Sequence, residues 1–176
     1  MLGIQERVLL WLTPFRLVLL LKNLLFTLVV PGLLGVWVPV HIFADRPWWP
    51  EEGMNALSWL GLLLLAIGAA GYLHCLWLFG SYGRGTPAAI DPPRKLVQRG
   101  LYRHVRNPMY LAVLTFVAGQ AVFLASWQVG IYWLCLACCF QLFVHLHEEP
   151  DLTSRFGAMY VDYQRDVPRW FPQRRR

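Results

Sequence analysis

Four long apolar blocks, separated by polar segments, constrain this chain more than anything else in it. They cover roughly residues 24–40, 57–79, 109–125 and 127–144. Each approaches the ~20 residues that a helix needs to cross a ~30 Å hydrocarbon layer. Helices are the expected spanning form, because all their backbone polar groups are satisfied within the segment. The chain is 57% hydrophobic over 176 residues, against about 45–50% for a soluble domain. The sequence therefore predicts an all-α fold: an integral membrane helical bundle of about four transmembrane helices, with an N-terminal interfacial helix and a C-terminal cytoplasmic amphipathic helix.

The first 23 residues read differently from the blocks. Residues 8–21 are apolar but broken by Pro14 and Arg16, and Lys22-Asn23 follows. An interfacial helix with its basic side chains at the headgroups accounts for this pattern. The alternative is one long first helix that starts near Phe15 and snorkels Lys22. A cleaved signal peptide is not expected, since no small-residue cleavage site precedes the next apolar block.

Charge sets the expected orientation. The segment between the second and third blocks carries Arg84, Arg94, Lys95, Arg99, Arg103 and Arg106, and the tail carries Arg155, Arg165, Arg169, Arg174, Arg175 and Arg176. The stretch from His41 to Ala56 holds only Arg46, among Asp45, Glu51 and Glu52. By the positive-inside rule both termini and the middle segment are cytoplasmic, in the inner membrane if the cell is bacterial. A net charge of +6 then reflects topology and attraction to anionic lipid. No nucleic-acid partner is expected, because the positive charge sits directly at membrane boundaries. The chain divides as one membrane domain: 1–23, spans one and two over 24–80, a cytoplasmic segment 81–108, a helical hairpin 109–147 and a cytoplasmic tail 148–176. Cys135, Cys138 and Cys139 mimic a metal or redox spacing, but inside an apolar helix they read as small packing residues.

A short turn near Ser126 forces the last two spans into an antiparallel hairpin. The start of one span, at Asn107-Pro108, thus becomes a neighbour of His145–Glu149 at the end of the other. Proline suits the first turn of a helix, and Asn107 is its expected N-cap. Glu148 and Glu149 form a negative pair at a helix C-terminus, which the helix dipole disfavours. A cation is expected to compensate: Arg103, Arg106 or Arg155, or a cationic ligand. His145 and His147 precede the pair, but their spacing is no recognised ligand pattern, and no metal site is expected. In the tail, Phe156, Met159, Tyr160 and Tyr163 recur at helical steps, giving an amphipathic helix ended by Pro168. Gly83, Gly85, Pro87, Pro92 and Pro93 mark residues 81–93 as a loop.

These residues carry a resemblance. The string LVQRGLYRHVRNPMY, the apolar hairpin, and EEPDLTSRFGAMYVDYQRDVPRW resemble the isoprenylcysteine carboxyl methyltransferase and phospholipid methyltransferase group across residues 94–170. The shared elements are Leu96-Val97, Gly100, Tyr102, Arg106, Pro108, Tyr110, Glu148-Glu149, Leu152, Phe156-Gly157, Tyr160, Tyr163 and Val167-Pro168. Two positions depart from the pattern. Asn107 stands where many members have His, and Val144 stands where prenylcysteine enzymes carry Arg.

The resemblance implies an enzyme that uses S-adenosylmethionine, leaves S-adenosylhomocysteine, and methylates a lipophilic small molecule or lipid-linked substrate in contact with membrane lipids. The first acceptor it suggests is an isoprenylcysteine-like carboxylate; a phospholipid amine or a small thiol is the alternative. It implies that Lys95, Leu96, Val97, Gly100 and Tyr102 surround the adenosine, and that Arg106, Asn107, Pro108, Met109 and Tyr110 hold the cofactor from the third span. Glu148 would hold the ribose hydroxyls or the ammonium. Glu149, His147 or His145 would be the base for an acceptor that must lose a proton. A transporter or scaffold is the rival of another class. Transport would call for intramembrane ionisable groups, and except for Lys22 and His74 the spans lack them.

Overall fold

The computed structural model describes residues 14–43, 53–83 and 95–172, and among these every regular element is helical. Residues 1–13 of the expected interfacial segment, the Gly- and Pro-rich stretch 84–94 and the terminal arginines lie outside the described residues. In chain order the helices are α1 (Pro14–Val29), α2 (Ala56–Leu78), α3 (Pro108–Phe123), α4 (Trp127–Phe143), α5 (Glu149–Phe156) and α6 (Ala158–Asp166). α1 runs unbroken through Lys22 and Asn23, so the first helix is already formed at Pro14 and does not begin after residue 23. It continues past Pro31 into two π-helical turns, Leu33–Trp37 and Pro39–Phe43. A 3₁₀ turn, Gly100–Arg103, precedes α3.

Among the described residues, three helical runs are long and apolar enough to cross a membrane: Leu21–Ile42, Ala56–Gly83 and Trp127–Phe156. The fourth expected span, α3, has 16 residues. At 1.5 Å per residue that is about 24 Å, less than a full hydrocarbon thickness. The outward faces are apolar: Leu25, Leu28, Leu63, Ile67, Leu134 and Leu142 are each more than half exposed. A soluble protein would bury such residues; lipid tails accommodate them.

Since lipid supplies little drive for helix association, close backbone packing must do it. α2 and α3 form the most extensive helix pair. A Cβ at Gly68 would lie 2.6 Å from Phe116 N, and one at Gly119 would lie 2.7 Å from Leu65 N. The absence of side chains there lets the two backbones touch. α3 turns into α4 through Leu124 and Ala125, and Ala125 takes the left-handed conformation (φ 47°). Ser126 then caps α4, its Oγ accepting from Val129 N. Leu114, Val117, Leu124, Val129 and Leu136 form the core of this hairpin.

Prolines explain two of the π-turns. Pro39 follows Leu33–Trp37 and Pro150 follows Val144–Glu148. Proline lacks an N–H and its ring crowds the carbonyl four residues back, and a π-turn relieves both. In each case the residue before the proline bonds five positions back: Val38 to Leu33 and Glu149 to Val144. The carbonyl that Pro39 would have served is that of Gly35, and Gln120 Nε2 of α3 donates to it instead. Leu34, left by Val38, accepts from Tyr132 Oη of α4 at 2.7 Å. Side chains from two neighbours thus satisfy backbone groups that lipid could not, and they pin α1 to the hairpin.

The tail differs from the single amphipathic helix expected. Gly157 (φ 53°) breaks it, leaving Phe156 on α5 and starting α6 at Ala158. Tyr160, Tyr163 and Val167 are buried together against Leu96, Leu152 and Phe156. Met159 faces outward. α6 stops at Asp166, and Val167 is extended, as the residue before a proline prefers.

Candidate functional site

Antiparallel packing of α3 and α4 brings the N-terminus of one to the C-terminal end of the other, as the hairpin predicts. Tyr110, in the first turn of α3, donates from Oη to Glu148 Oε2 at 2.7 Å. Its ring also lies 4.7 Å from that of Phe140 on α4, and Trp170 meets it edge-on at 6.4 Å. Above this junction lies a cavity with about 660 Å³ of empty space, counting its open side.

The cavity has two unlike ends. Tyr102, Arg106, Asn107, Tyr110 and Glu148 line one. Phe26, Val30, Pro31 and Leu34 of the first helix line the other, with Val113 and Phe140. Met109, Phe79 and Tyr72 complete the wall. Sequence reasoning missed the first helix's contribution altogether, because those residues are ordinary span residues with no motif.

The two carboxylates, adjacent in sequence, part company. Glu148 faces the cavity. Glu149 is 7% exposed and is gripped by Arg169, whose Nε and Nη2 donate to it at 2.9 and 2.7 Å. Arg106 Nη1 lies 3.2 Å from the same carboxylate. The compensating cations are therefore Arg106 and Arg169; Arg155 pairs with Asp151 instead. Both Glu149 oxygens are engaged by these guanidiniums, and Glu149 is not among the residues that line the cavity. His145 and His147 are exposed and do not line the cavity; the His147 ring packs against Phe143. No cluster of metal-ligating side chains occurs among the described residues.

Asn107 occupies the N-cap position but does not cap. Its backbone is off the usual capping conformation (φ −121°, ψ 52°), and no side-chain cap bond forms. Its Nδ2 donates instead to the Arg169 carbonyl at 3.3 Å, 62 residues away. Next to it, Arg106 N donates to Pro168 O at 2.9 Å. Pro108 is the first residue of α3, as expected. Residues 168–170 thus form a strap across the polar end of the cavity, tied at Arg106, Asn107 and Glu149.

The preceding segment supports the wall more than it forms it. Lys95 is exposed. Leu96 packs on the Tyr160–Tyr163 cluster, and Val97 is buried with Cys75, Leu78 and Tyr102. Gly100 has φ 58°, and a Cβ there would sit 2.7 Å from His74 Nε2. Glycine therefore lets this turn lie on α2. Tyr102 reaches the cavity, and its carbonyl accepts from Tyr163 Oη at 2.6 Å. Burial pushes both phenols well above their ordinary pKa, so they remain neutral hydroxyls.

The polar end has unused hydrogen-bonding capacity of both kinds. Arg106 Nε and Nη1 are buried with no hydrogen-bond partner; the Nη1–Glu149 contact is an ion pair whose N–H does not point along it. Two orphan donors beside a cavity suit a carboxylate. Glu148, which accepts from Tyr110 through Oε2, suits an ammonium or a pair of hydroxyls.

Residues 56–159 match the model of the phospholipid methyltransferase family. Methanethiol S-methyltransferase 2 of Bradyrhizobium diazoefficiens is 32% identical over 165 residues, covering 85% of this chain and 58% of that protein. Protein-S-isoprenylcysteine O-methyltransferase is 25% identical in Mus musculus, covering 79% of this chain and 49% of that protein. The Homo sapiens protein of that name is also 25% identical, with 73% and 46% covered. The chain spans about half the length of the curated relatives it matches. With its family model matched from the start of α2 into α6, the chain belongs to the phospholipid methyltransferase family of membrane methyltransferases.

Proposed function

We propose that this chain is an S-adenosylmethionine-dependent methyltransferase acting on a lipophilic or membrane-borne acceptor. The observation that carries the reading is the single cavity with a polar end at the hairpin junction and an apolar end walled by the first helix. When bound, S-adenosylmethionine supplies an electrophilic methyl group on a positively charged sulfur. The unpartnered Arg106 donors fit its carboxylate, and Glu148, positioned by Tyr110, fits its ammonium or ribose hydroxyls. Phe26, Val30, Leu34, Val113 and Phe140 exclude water from the acceptor end, which strengthens electrostatic interactions there. Walls on opposing helices hold the two partners in line, the main contribution a protein makes to such a displacement.

Val144 is fully buried where prenylcysteine enzymes carry Arg, and Arg106 is the cation among the described lining residues. This disfavours an isoprenylcysteine-like carboxylate and supports the second reading, a neutral acceptor such as a small thiol or a phospholipid amine. Such an acceptor loses a proton; Glu149, His147 and His145, to which the sequence pointed as bases, do not line the cavity, and Glu148 is engaged by the cofactor in this reading, so the proton leaves to solvent through the cavity's open side. The topology belongs to the same proposal: four crossings with both termini cytoplasmic, the short α3 sheltered between α2 and α4 while the bilayer or flanking side chains absorb the mismatch.

Calorimetry with S-adenosylhomocysteine in detergent tests the cofactor, and a screen of lipid and thiol acceptors with labelled methyl donor tests the acceptor. Glu148→Ala should weaken binding by ~1.5–3 kcal/mol, the worth of a charge-assisted contact, and Glu148→Gln by less. A folded wild type with no affinity for S-adenosylhomocysteine would return the chain to the transport or scaffold class.

A further inference from the structure

A hydroxyl relay joins the first two membrane helices at the cavity wall. Thr27 Oγ1 lies 2.7 Å from the Asn23 carbonyl oxygen and 2.8 Å from Tyr72 Oη. A carbonyl oxygen can only accept, so the single hydroxyl hydrogen of Thr27 goes to Asn23. Thr27 can then serve Tyr72 only as an acceptor, which points the phenol hydrogen at Thr27. The directions are forced: Tyr72 donates to Thr27, and Thr27 donates to Asn23.

Tyr72 is left with oxygen lone pairs and no hydrogen to offer. It lines the cavity beside Phe26, Val30 and Phe79. One turn before Thr27, the Asn23 side chain is 5% exposed and its Oδ1 has no partner. The cavity wall therefore carries an unused acceptor, the Tyr72 oxygen, among apolar neighbours, and an unpaired polar oxygen is costly in such a place. A ligand group that brings an N–H or O–H relieves the cost; one that brings a carbonyl or carboxylate oxygen meets repulsion.

We propose that Tyr72, oriented by Thr27 and Asn23, is a specificity subsite that takes a hydrogen-bond donor of the methyl acceptor, an N–H or O–H set apart from the atom that receives the methyl. The assignment rests on the methyltransferase reading above for what the ligand is, but not for the hydrogen-bond polarity. Tyr72 touches the ligand; Thr27 is a positioning residue that fixes which way the phenol points.

The test uses two matched probes, N-dodecylacetamide and its N-methylated twin, in equilibrium binding to the purified full chain in detergent. Wild type should prefer the secondary amide about fivefold, the worth of one neutral hydrogen bond. Tyr72→Phe should bring the two probes within about twofold. Thr27→Ser keeps the relay and should keep the preference. Thr27→Val frees the phenol hydrogen, so the tertiary amide should gain relative to its twin, a change that loss of structure alone would not produce. All variants should bind S-adenosylhomocysteine as wild type does. Failure of the secondary amide to bind, equal binding of the two probes by wild type, or a preference unchanged in Tyr72→Phe would overturn the subsite. Amide preference that follows Tyr72 in a protein unable to bind S-adenosylhomocysteine would instead sink the methyltransferase reading and leave the subsite standing.

Discussion

Removing Arg169 should loosen the polar end of the cavity without touching the cavity wall. Its guanidinium makes two hydrogen bonds to Glu149, a carboxylate with 9% of its side chain exposed. Breaking a buried pair by deleting one partner costs about 3–5 kcal/mol, mostly as the penalty of the abandoned charge. Two features reduce that figure here: Arg169 is 26% exposed, and Arg106 stays 3.2 Å from Glu149. We therefore expect Arg169→Ala to lose about 2–3 kcal/mol, which for a chain of this size is roughly 4–12 °C in Tm. Thermal unfolding in detergent reads the loss directly. A second change, Glu149→Leu, should recover part of it by removing the stranded charge, so the pair should couple by more than ~0.5 kcal/mol in a double-mutant cycle. Because the Pro168 and Arg169 carbonyls accept from Arg106 N and the Asn107 side-chain amide, affinity for S-adenosylhomocysteine should fall alongside stability. Additive effects and an unchanged Tm would refute the structural role of Glu149. Full stability with abolished turnover in Glu149→Gln would restore it as the base.

His145→Ala and His147→Ala should leave cofactor affinity and turnover within about twofold, since neither side chain lines the cavity; steady-state kinetics with two unlike acceptors decides this. Ala125→Gly should raise Tm by relieving a left-handed alanine (φ 47°), with a gain of up to about 1 kcal/mol. Single cysteines at Ala56 and Gln98, in a background without the native four, should label from opposite sides of the membrane; labelling from one side would overturn the topology. Gln120→Leu strips the Gly35 carbonyl of its side-chain donor and should cost about 0.6–2 kcal/mol in the membrane, seen as a lower Tm in detergent or bicelles.

Much of the architecture was legible locally, because hydropathy, length and punctuation act over a few residues. Apolar runs specified the long helices, Pro108 marked the start of α3, and the short turn at Ser126 dictated the hairpin that joins Tyr110 to Glu148. The ordered motif residues from Leu96 to Pro168, on either side of the apolar hairpin, were enough to resemble a family. Other choices depended on contacts across the chain. Glu148 and Glu149 are neighbours with the same chemistry; a π-turn forced by Pro150, and the position of Arg169 twenty residues on, decide that one faces the cavity and the other is locked away. Asn107 looked like a cap by its place before proline, but the strap captured its side chain from 62 residues away. The apolar half of the cavity comes from a first helix whose residues read only as lipid-spanning, since nothing in a run of leucines and valines tells which face meets lipid and which meets a ligand. That distinction was made by Gln120 and Tyr132, which fasten the broken backbone at Leu34 and Gly35 to the hairpin and so turn Phe26, Val30 and Leu34 inward. Local sequence determined that helices form and where they stop; only packing between helices, through bonds with no sequence proximity, determined which of their faces enclose the site.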